Sequence, residues 1–210
     1  MPTRQGCPRI IAITNRELTG GEDGLLRRCR ELLDLGVPAI MLREKDLPAR
    51  VLLGLAEALR EETRRRGAIL IVNDRVDVAL AAGADGIHLG QRSLPAEAAG
   101  RIIPGGMLLG VSCHGVEELR AAENAGADYT MLAPVFDPAS KPGERPALGL
   151  EGLRSVRSQA TRPVLALGGV SAENAEAVRE AGAHGVAGIG CFFGPEAERA
   201  RVQGLLEVFT

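Results

Sequence analysis

Three copies of one short phrase punctuate the chain: Ala82-Gly83-Ala84-Asp85-Gly86, Ala125-Gly126-Ala127-Asp128-Tyr129 and Ala181-Gly182-Ala183-His184-Gly185. Asp34-Leu35-Gly36-Val37 is a looser copy. Each ends an amphipathic run and opens an apolar one, with glycine supplying the left-handed residue that stops a helix. A repeated helix-to-strand turn is what a chain of βα units requires. The strands expected between these turns are 10–14, 37–43, 68–73, 85–89, 107–112 and 128–132, with two more inside 163–190. The expected helices are 24–35, 48–66, 76–82, 94–101, 116–125, 150–159, a short run ending at Gly182, and 195–209. Pro48 and Pro95 suit first turns, and Gly36 and Gly67 suit ends. Eight strands alternating with eight helices, with no break in composition, predict an α/β protein made of a single (β/α)8 TIM barrel over residues 1–210. An open doubly wound sheet is the alternative; it is weakened because no Gly-x-Gly-x-x-Gly follows the first strand.

Composition removes whole classes of function. The net charge is −2 and only 2% of residues are aromatic, which leaves neither a basic face nor a stacking platform for nucleic acid. No apolar run is long enough to span a membrane. The first eight residues, Met-Pro-Thr-Arg-Gln-Gly-Cys-Pro, lack an apolar segment of the signal-peptide kind, so a cytoplasmic location is expected. Cys7, Cys29, Cys113 and Cys191 have no metal-type spacing and read as reduced thiols.

In a barrel of this kind chemistry sits at the carboxyl ends of the strands. The stretch 163–190 carries Gly168-Gly169 after one strand and Gly188 and Gly190 after the next. Backbone N–H groups at such ends suit an anion, so these four glycines are a candidate phosphate cup; ordinary glycine turns are the other reading. Ser171 is a capping candidate for the helix between them. Arg43 and Lys45 end the second strand on the same face as Met41, and two cations there invite a bound anion unless Glu44 offsets one. Asn73-Asp74-Arg75 ends the third; Asp74 could hold Mg²⁺, cap the next helix or pair with Arg75. His88 within the fourth strand reads as a structural histidine, and Ser93 as a helix cap before Pro95. Ser112 and His114 share a parity at the end of the fifth strand, so both can face the mouth, and His114 is a candidate acid–base group. Cys113 points the other way as a small hydrophobe. His184 lies at the opposite end of its strand and carries no expected role. Residues 136–143 form a long Pro- and Lys-rich loop, a candidate lid, whose Ser140 and Lys141 could close over a second anionic group.

Five runs taken together become specific: MLREKDLP at 41–48, NDRVDVALAAGADGIHLGQ at 73–91, GVSCH at 110–114, ADYTMLAPVFDPASKPG at 127–143 and LALGGVSAEN at 165–174. In this order they resemble the thiamine phosphate synthase/TenI family, from about residue 10 to about 193. The resemblance implies a (β/α)8 barrel, often a homodimer, that binds a phosphorylated thiazole. One branch joins hydroxymethylpyrimidine diphosphate to thiazole phosphate with Mg²⁺; the other includes a thiazole tautomerase that uses no metal cofactor. Arg43, Lys45, Asn73, Asp74, Ser112, Ser140 and Lys141 match the synthase pattern. Met41, Ser93, Pro138 and Gly190 depart from it, standing where the pattern has glutamine, a second metal aspartate, threonine and serine. These losses fall on the metal and diphosphate side, so the tautomerase is the expected activity. Its catalytic residues would be His114, Lys45 and Arg43. Arg43, Lys45, Asn73, Ser112, Ser140 and Lys141 would bind substrate, and Gly168, Gly169, Gly188 and Gly190 its phosphate. Synthases carry histidine at the position of His114 too, so that residue separates the branches poorly. The alternatives are a Mg²⁺-dependent synthase with Asp74 on the metal, and a non-catalytic thiazole- or thiamine-phosphate-binding protein.

Overall fold

Residues 6–137 and 146–209 are described by a computed structural model of the chain. Eight strands pair in parallel, each with the next in sequence, and β8 returns to β1 to close a barrel. They are β1 Ile10–Ile13, β2 Ala39–Leu42, β3 Ile69–Asn73, β4 Gly86–Leu89, β5 Leu108–Cys113, β6 Tyr129–Leu132, β7 Val164–Leu167 and β8 Gly185–Gly188. The helices between and after them are α1 Glu22–Asp34, α2 Ala49–Arg65, α3 Val76–Ala81, α4 Ala96–Gly100, α5 Val116–Asn124, α6 Gly149–Arg157, α7 Ala175–Glu180, α8 Gly190–Phe193 and α9 Arg199–Phe209. The (β/α)8 expectation holds. Two elements were not foreseen: the one-turn α8 after β8, and a 3₁₀ turn at Arg16–Thr19. The last helix opens at Arg199 rather than 195, because a turn from Gly194 to Ala197 comes first. No helix among the described residues is long and apolar enough to cross a membrane.

Strands covered on both faces read as continuous apolar runs instead of alternating ones. Their inward residues, including Ile11, Ile13, Met41, Ile71, Tyr129, Met131 and Leu165, fill the barrel interior. Their outward residues pack with the helices in a larger second layer that holds Leu25, Cys29 and Leu32 of α1 and Leu52, Leu55 and Leu59 of α2. Cys113 lies in that outer layer, fully buried, as its parity implied. All four cysteines are free thiols.

The repeated phrase has a double physical cause. Gly83, Gly126 and Gly182 sit at φ 61°, 87° and 92°, in the left-handed region where a Cβ is costly. The aspartate that follows then staples the new strand to the preceding one. Asp85 accepts the Leu70 N–H at 2.8 Å, and Asp128 accepts the Leu109 N–H at 2.9 Å. Where the third copy has His184, the ring reaches the Cys7 carbonyl at 3.2 Å instead. This hardware lies at the amino ends of the strands, away from the mouth.

Candidate active site at the carboxyl ends of the strands

At the end of β2 the backbone N–H of Arg43 donates to Thr14 Oγ1 at 2.9 Å, tying this strand end to β1. Met41 is buried in the interior one pleat below Arg43. Glu44, 5% exposed, accepts the Arg16 backbone N–H at 3.2 Å and the Arg16 guanidinium at 3.2 Å. Arg16 also grips Asp46 at 2.7 Å, and this bond holds the Asp46 carboxyl below its usual range. The guanidinium of Arg43 meets no acidic side chain among the described residues.

Asp74 follows β3 at φ 68°, which makes it the non-glycine residue in the left-handed region among the described residues. A β-carbon there costs free energy and persists because the surroundings over-determine it. Here the Asp74 N–H donates to the His88 carbonyl at 2.8 Å, and the Val76 N–H returns to the Asp74 carbonyl at 3.1 Å. Asp74 does not cap α3, which has Arg75 at its cap with no side-chain bond. Arg75 bonds Asp77, Nε to Oδ1 at 2.9 Å, and Asp74 adds only a charge attraction to it. The Asp74 carboxylate accepts no hydrogen bond from the described residues. It lines a cavity of about 60 Å³ with Glu44, Lys45, Leu47, Leu52, Asn73 and Arg75.

Strands β4, β5 and β6 build a polar line inside the barrel. His88 stands in register with Asn73 on one side and Gly110 on the other, and Gly110 with Tyr129. Glycine at 110 leaves the gap into which both rings extend; they lie 5.7 Å apart at 28°. His88 Nδ1 is 3.3 Å from the Tyr129 hydroxyl, and His88 Nε2 is 2.8 Å from Ser112 Oγ. Burial pushes the His88 pKa down to about 3 and the Tyr129 phenol well above its ordinary value. His88 is thus the hydrogen-bonded structural residue that was expected. Its partner Tyr129 was not singled out, although it is the one tyrosine of the chain and follows a copy of the repeat.

His114 sits just beyond β5. Its Nδ1 donates to the Ala133 carbonyl, which leaves Nε2 as the unprotonated nitrogen of the neutral ring. Its backbone N–H donates to Glu118 Oε2 at 2.8 Å, and Gln91 Nε2 reaches the same oxygen at 2.8 Å. Ser93 is not a helix cap: Pro95 stands at the cap of α4 without a side-chain bond, and Ser93 Oγ accepts the Gly90 N–H at 2.8 Å, closing the loop after β4.

Gly168 and Gly169 have φ 98° and 61°. A Cβ on Gly168 would lie 2.9 Å from Pro134 Cα, and one on Gly169 2.7 Å from Phe136 Cβ, so glycine is demanded twice over. Ser171 does not cap α7; Asn174 stands at the cap, and its side chain bridges the Ser171 N–H and the Gly169 carbonyl at 2.9 Å each. A Cβ on Gly188 would strike Cys191 Sγ at 2.3 Å, whereas one on Gly190, the first residue of α8, meets nothing within 4 Å. Arg43, Lys45, Asn73, Asp74, Ser112, His114 and the four glycines therefore all lie at or just past the carboxyl ends of β2, β3, β5, β7 and β8. Pro138, Ser140 and Lys141 lie outside the described residues.

The model of the family described as thiamine monophosphate synthase matches residues 10–192. The chain belongs to this family. Thiamine-phosphate synthase of Moorella thermoacetica is 44% identical over 200 residues, covering 95% of this chain and 94% of that protein. Its namesake from Roseiflexus castenholzii is 41% identical over 208 residues, 99% of this chain and 91% of the relative. Among solved structures, thiamine phosphate pyrophosphorylase from Pyrococcus furiosus superposes with a TM-score of 0.86 at 36% identity, over 96% of this chain and 95% of that one. A 3-hexulose-6-phosphate synthase, at 18% identity and TM-score 0.73, shares the fold alone. As a member of this family, the chain is an enzyme.

Proposed function

We propose that the protein is a thiamine-phosphate synthase, which joins hydroxymethylpyrimidine diphosphate to thiazole phosphate and releases pyrophosphate. The observation that carries this reading is the end-to-end likeness, above 40% identity, to relatives bearing that name. It displaces the tautomerase expected from Met41, Ser93, Pro138 and Gly190. Two of those departures also weigh less than they did. Ser93 closes the loop after β4, and Gly190 faces open space, so neither disturbs Arg43, Asn73 or Asp74.

In this reading Arg43 and Lys45 offset the charge that grows on the departing diphosphate, with Asn73 and Ser112 orienting the pyrimidine half. Ser140 and Lys141 extend the same anion site. Gly168, Gly169, Gly188 and Gly190 hold the thiazole phosphate through backbone N–H groups. His114, its ring fixed by Ala133, positions substrate from β5.

The residues fit Mg²⁺. Asp74 offers a carboxylate with no hydrogen bond from the described residues, held at φ 68° beside Asn73. Magnesium commonly takes one or two carboxylates and completes its shell with substrate phosphate oxygens and water, so a serine at 93 does not exclude it. When bound, the ion would neutralise charge on the diphosphate oxygens.

Purified protein given both substrates and Mg²⁺ should form thiamine phosphate and pyrophosphate. Arg43→Ala should lower turnover by about 10²–10³, the usual cost of losing one group that stabilises developing charge. Tautomerisation of the thiazole carboxylate phosphate without any thiamine phosphate would refute the synthase and restore the tautomerase.

A further inference from the structure

Tyr129, His88 and Ser112 place three polar side chains in line from the barrel interior to its mouth. We infer that this line is a directional hydrogen-bond chain that fixes Ser112 as a donor toward the substrate, with His88 and Tyr129 as positioning residues. Only the identity of that substrate rests on the synthase reading.

The direction follows from the buried end. Tyr129 is fully buried, and burial keeps the proton on its oxygen. A buried O–H needs an acceptor, and His88 Nδ1 at 3.3 Å is the one the described residues provide. Nδ1 is then unprotonated. His88 is 3% exposed and both ring nitrogens face hydroxyl groups with no carboxylate bonded to them among the described residues, so the ring is neutral and its single N–H lies on Nε2. That group donates to Ser112 Oγ at 2.8 Å. Ser112 oxygen is engaged as an acceptor, and its own O–H, with no acceptor among the described residues, is turned outward. With the opposite tautomer the Tyr129 proton would be stranded, and Ser112 would donate inward and show the substrate only lone pairs.

Gly110 is the device that permits the chain. A Cβ there would lie 2.4 Å from the Tyr129 oxygen and 2.6 Å from His88 Nδ1. A buried residue on the neighbouring strand β6, acting through His88 on β4, thereby sets the polarity of a hydroxyl at the mouth of β5. The substrate atom beside Ser112 must accept a hydrogen bond, as a ring nitrogen or a phosphate oxygen does. An analogue presenting N–H there is disfavoured.

The test reads the tautomer directly. With 15N-histidine labelling, three histidines give a tractable spectrum, and His88→Gln assigns the His88 signals. Native protein should show a proton on His88 Nε2 and a bare Nδ1; a proton on Nδ1 would overturn the inference. Tyr129→Phe, which removes one oxygen, should release the tautomer to a mixture. It should also lower kcat/KM about tenfold, one hydrogen bond's worth. Ser112→Ala should cost at least as much, and the double variant no more than Ser112→Ala alone. Additive losses would overturn the chain. His88→Gln, which keeps an amide N–H toward Ser112, should stay within about threefold of native. The tautomer is read without turnover, so an inactive native protein with His88 protonated on Nε2 would refute the synthase and leave the chain standing.

Discussion

Replacing Gly110 by alanine adds one methyl group where His88 and Tyr129 meet. The new Cβ would lie 2.1 Å from Tyr129 Cζ, 2.4 Å from its oxygen and 2.6 Å from His88 Nδ1. All three atoms belong to rigid aromatic side chains inside the barrel, so no flexible tip can swing aside. Overpacking of this sort costs about 1–3 kcal/mol. Displaced rings also lose the two hydrogen bonds that join Tyr129, His88 and Ser112, at about 1 kcal/mol each. The sum is about 3–5 kcal/mol. For a chain of this length that is a fall in Tm of roughly 6–20 °C. Gly54→Ala is the matched control. Gly54 lies exposed in α2, with nothing within 4 Å of an added Cβ, so alanine there should add about 0.5–1 kcal/mol. Urea unfolding of both variants, with unchanged m-values, measures the difference. A Gly110→Ala variant within about 0.5 kcal/mol of native would refute the packing reasoning.

Two further predictions concern the same mouth. His88 has a folded pKa of about 3 against an ordinary 6.5, so its contribution is present in full above pH 6.5 and is lost as pH falls toward 3. Unfolding free energy should drop by about 1.4 kcal/mol per pH unit from this group, and His88→Gln should flatten the pH 6.5–5 portion of the curve. Asp74→Gly relieves a left-handed φ of 68° while removing a carboxylate. Stability should hold or rise by up to about 1 kcal/mol, while Mg²⁺-dependent turnover falls at least about a hundredfold; a loss of more than about 1 kcal/mol would contradict the strain reading.

The barrel was legible because its signal is local. Gly83, Gly126 and Gly182 each stop a helix by their own φ, and Asp85 and Asp128 act on the neighbouring strand, so the phrase alone carries the architecture. Side-chain parity placed Met41, Cys113 and Ser112 correctly for the same reason. Misreadings arose where a short polar residue had two plausible backbone partners. Ser93 has the Ser-x-Pro look of a cap, yet its oxygen takes the N–H behind it, at Gly90. Ser171 lost its cap to Asn174 in the same way. The bond from Arg16 to Glu44 spans 28 residues and had no local signal. The Tyr129–His88 pair joins residues 41 apart and depends on the absence of a side chain at 110, which no local pattern announces.

The glycines after β7 have a consequence of an evolutionary kind. Gly168 and Gly169 are pressed against Pro134 and Phe136, and the Phe136 N–H donates to the Gly168 carbonyl at 3.0 Å. The backbone after β7 and the segment leading toward Ser140 and Lys141 thus share one contact surface. A side chain introduced at Gly168 or Gly169 would displace Pro134 or Phe136, so substitutions in the two segments should be epistatic. Grafting the loop that carries Ser140 and Lys141 from a relative should succeed only when the stretch 167–174 travels with it.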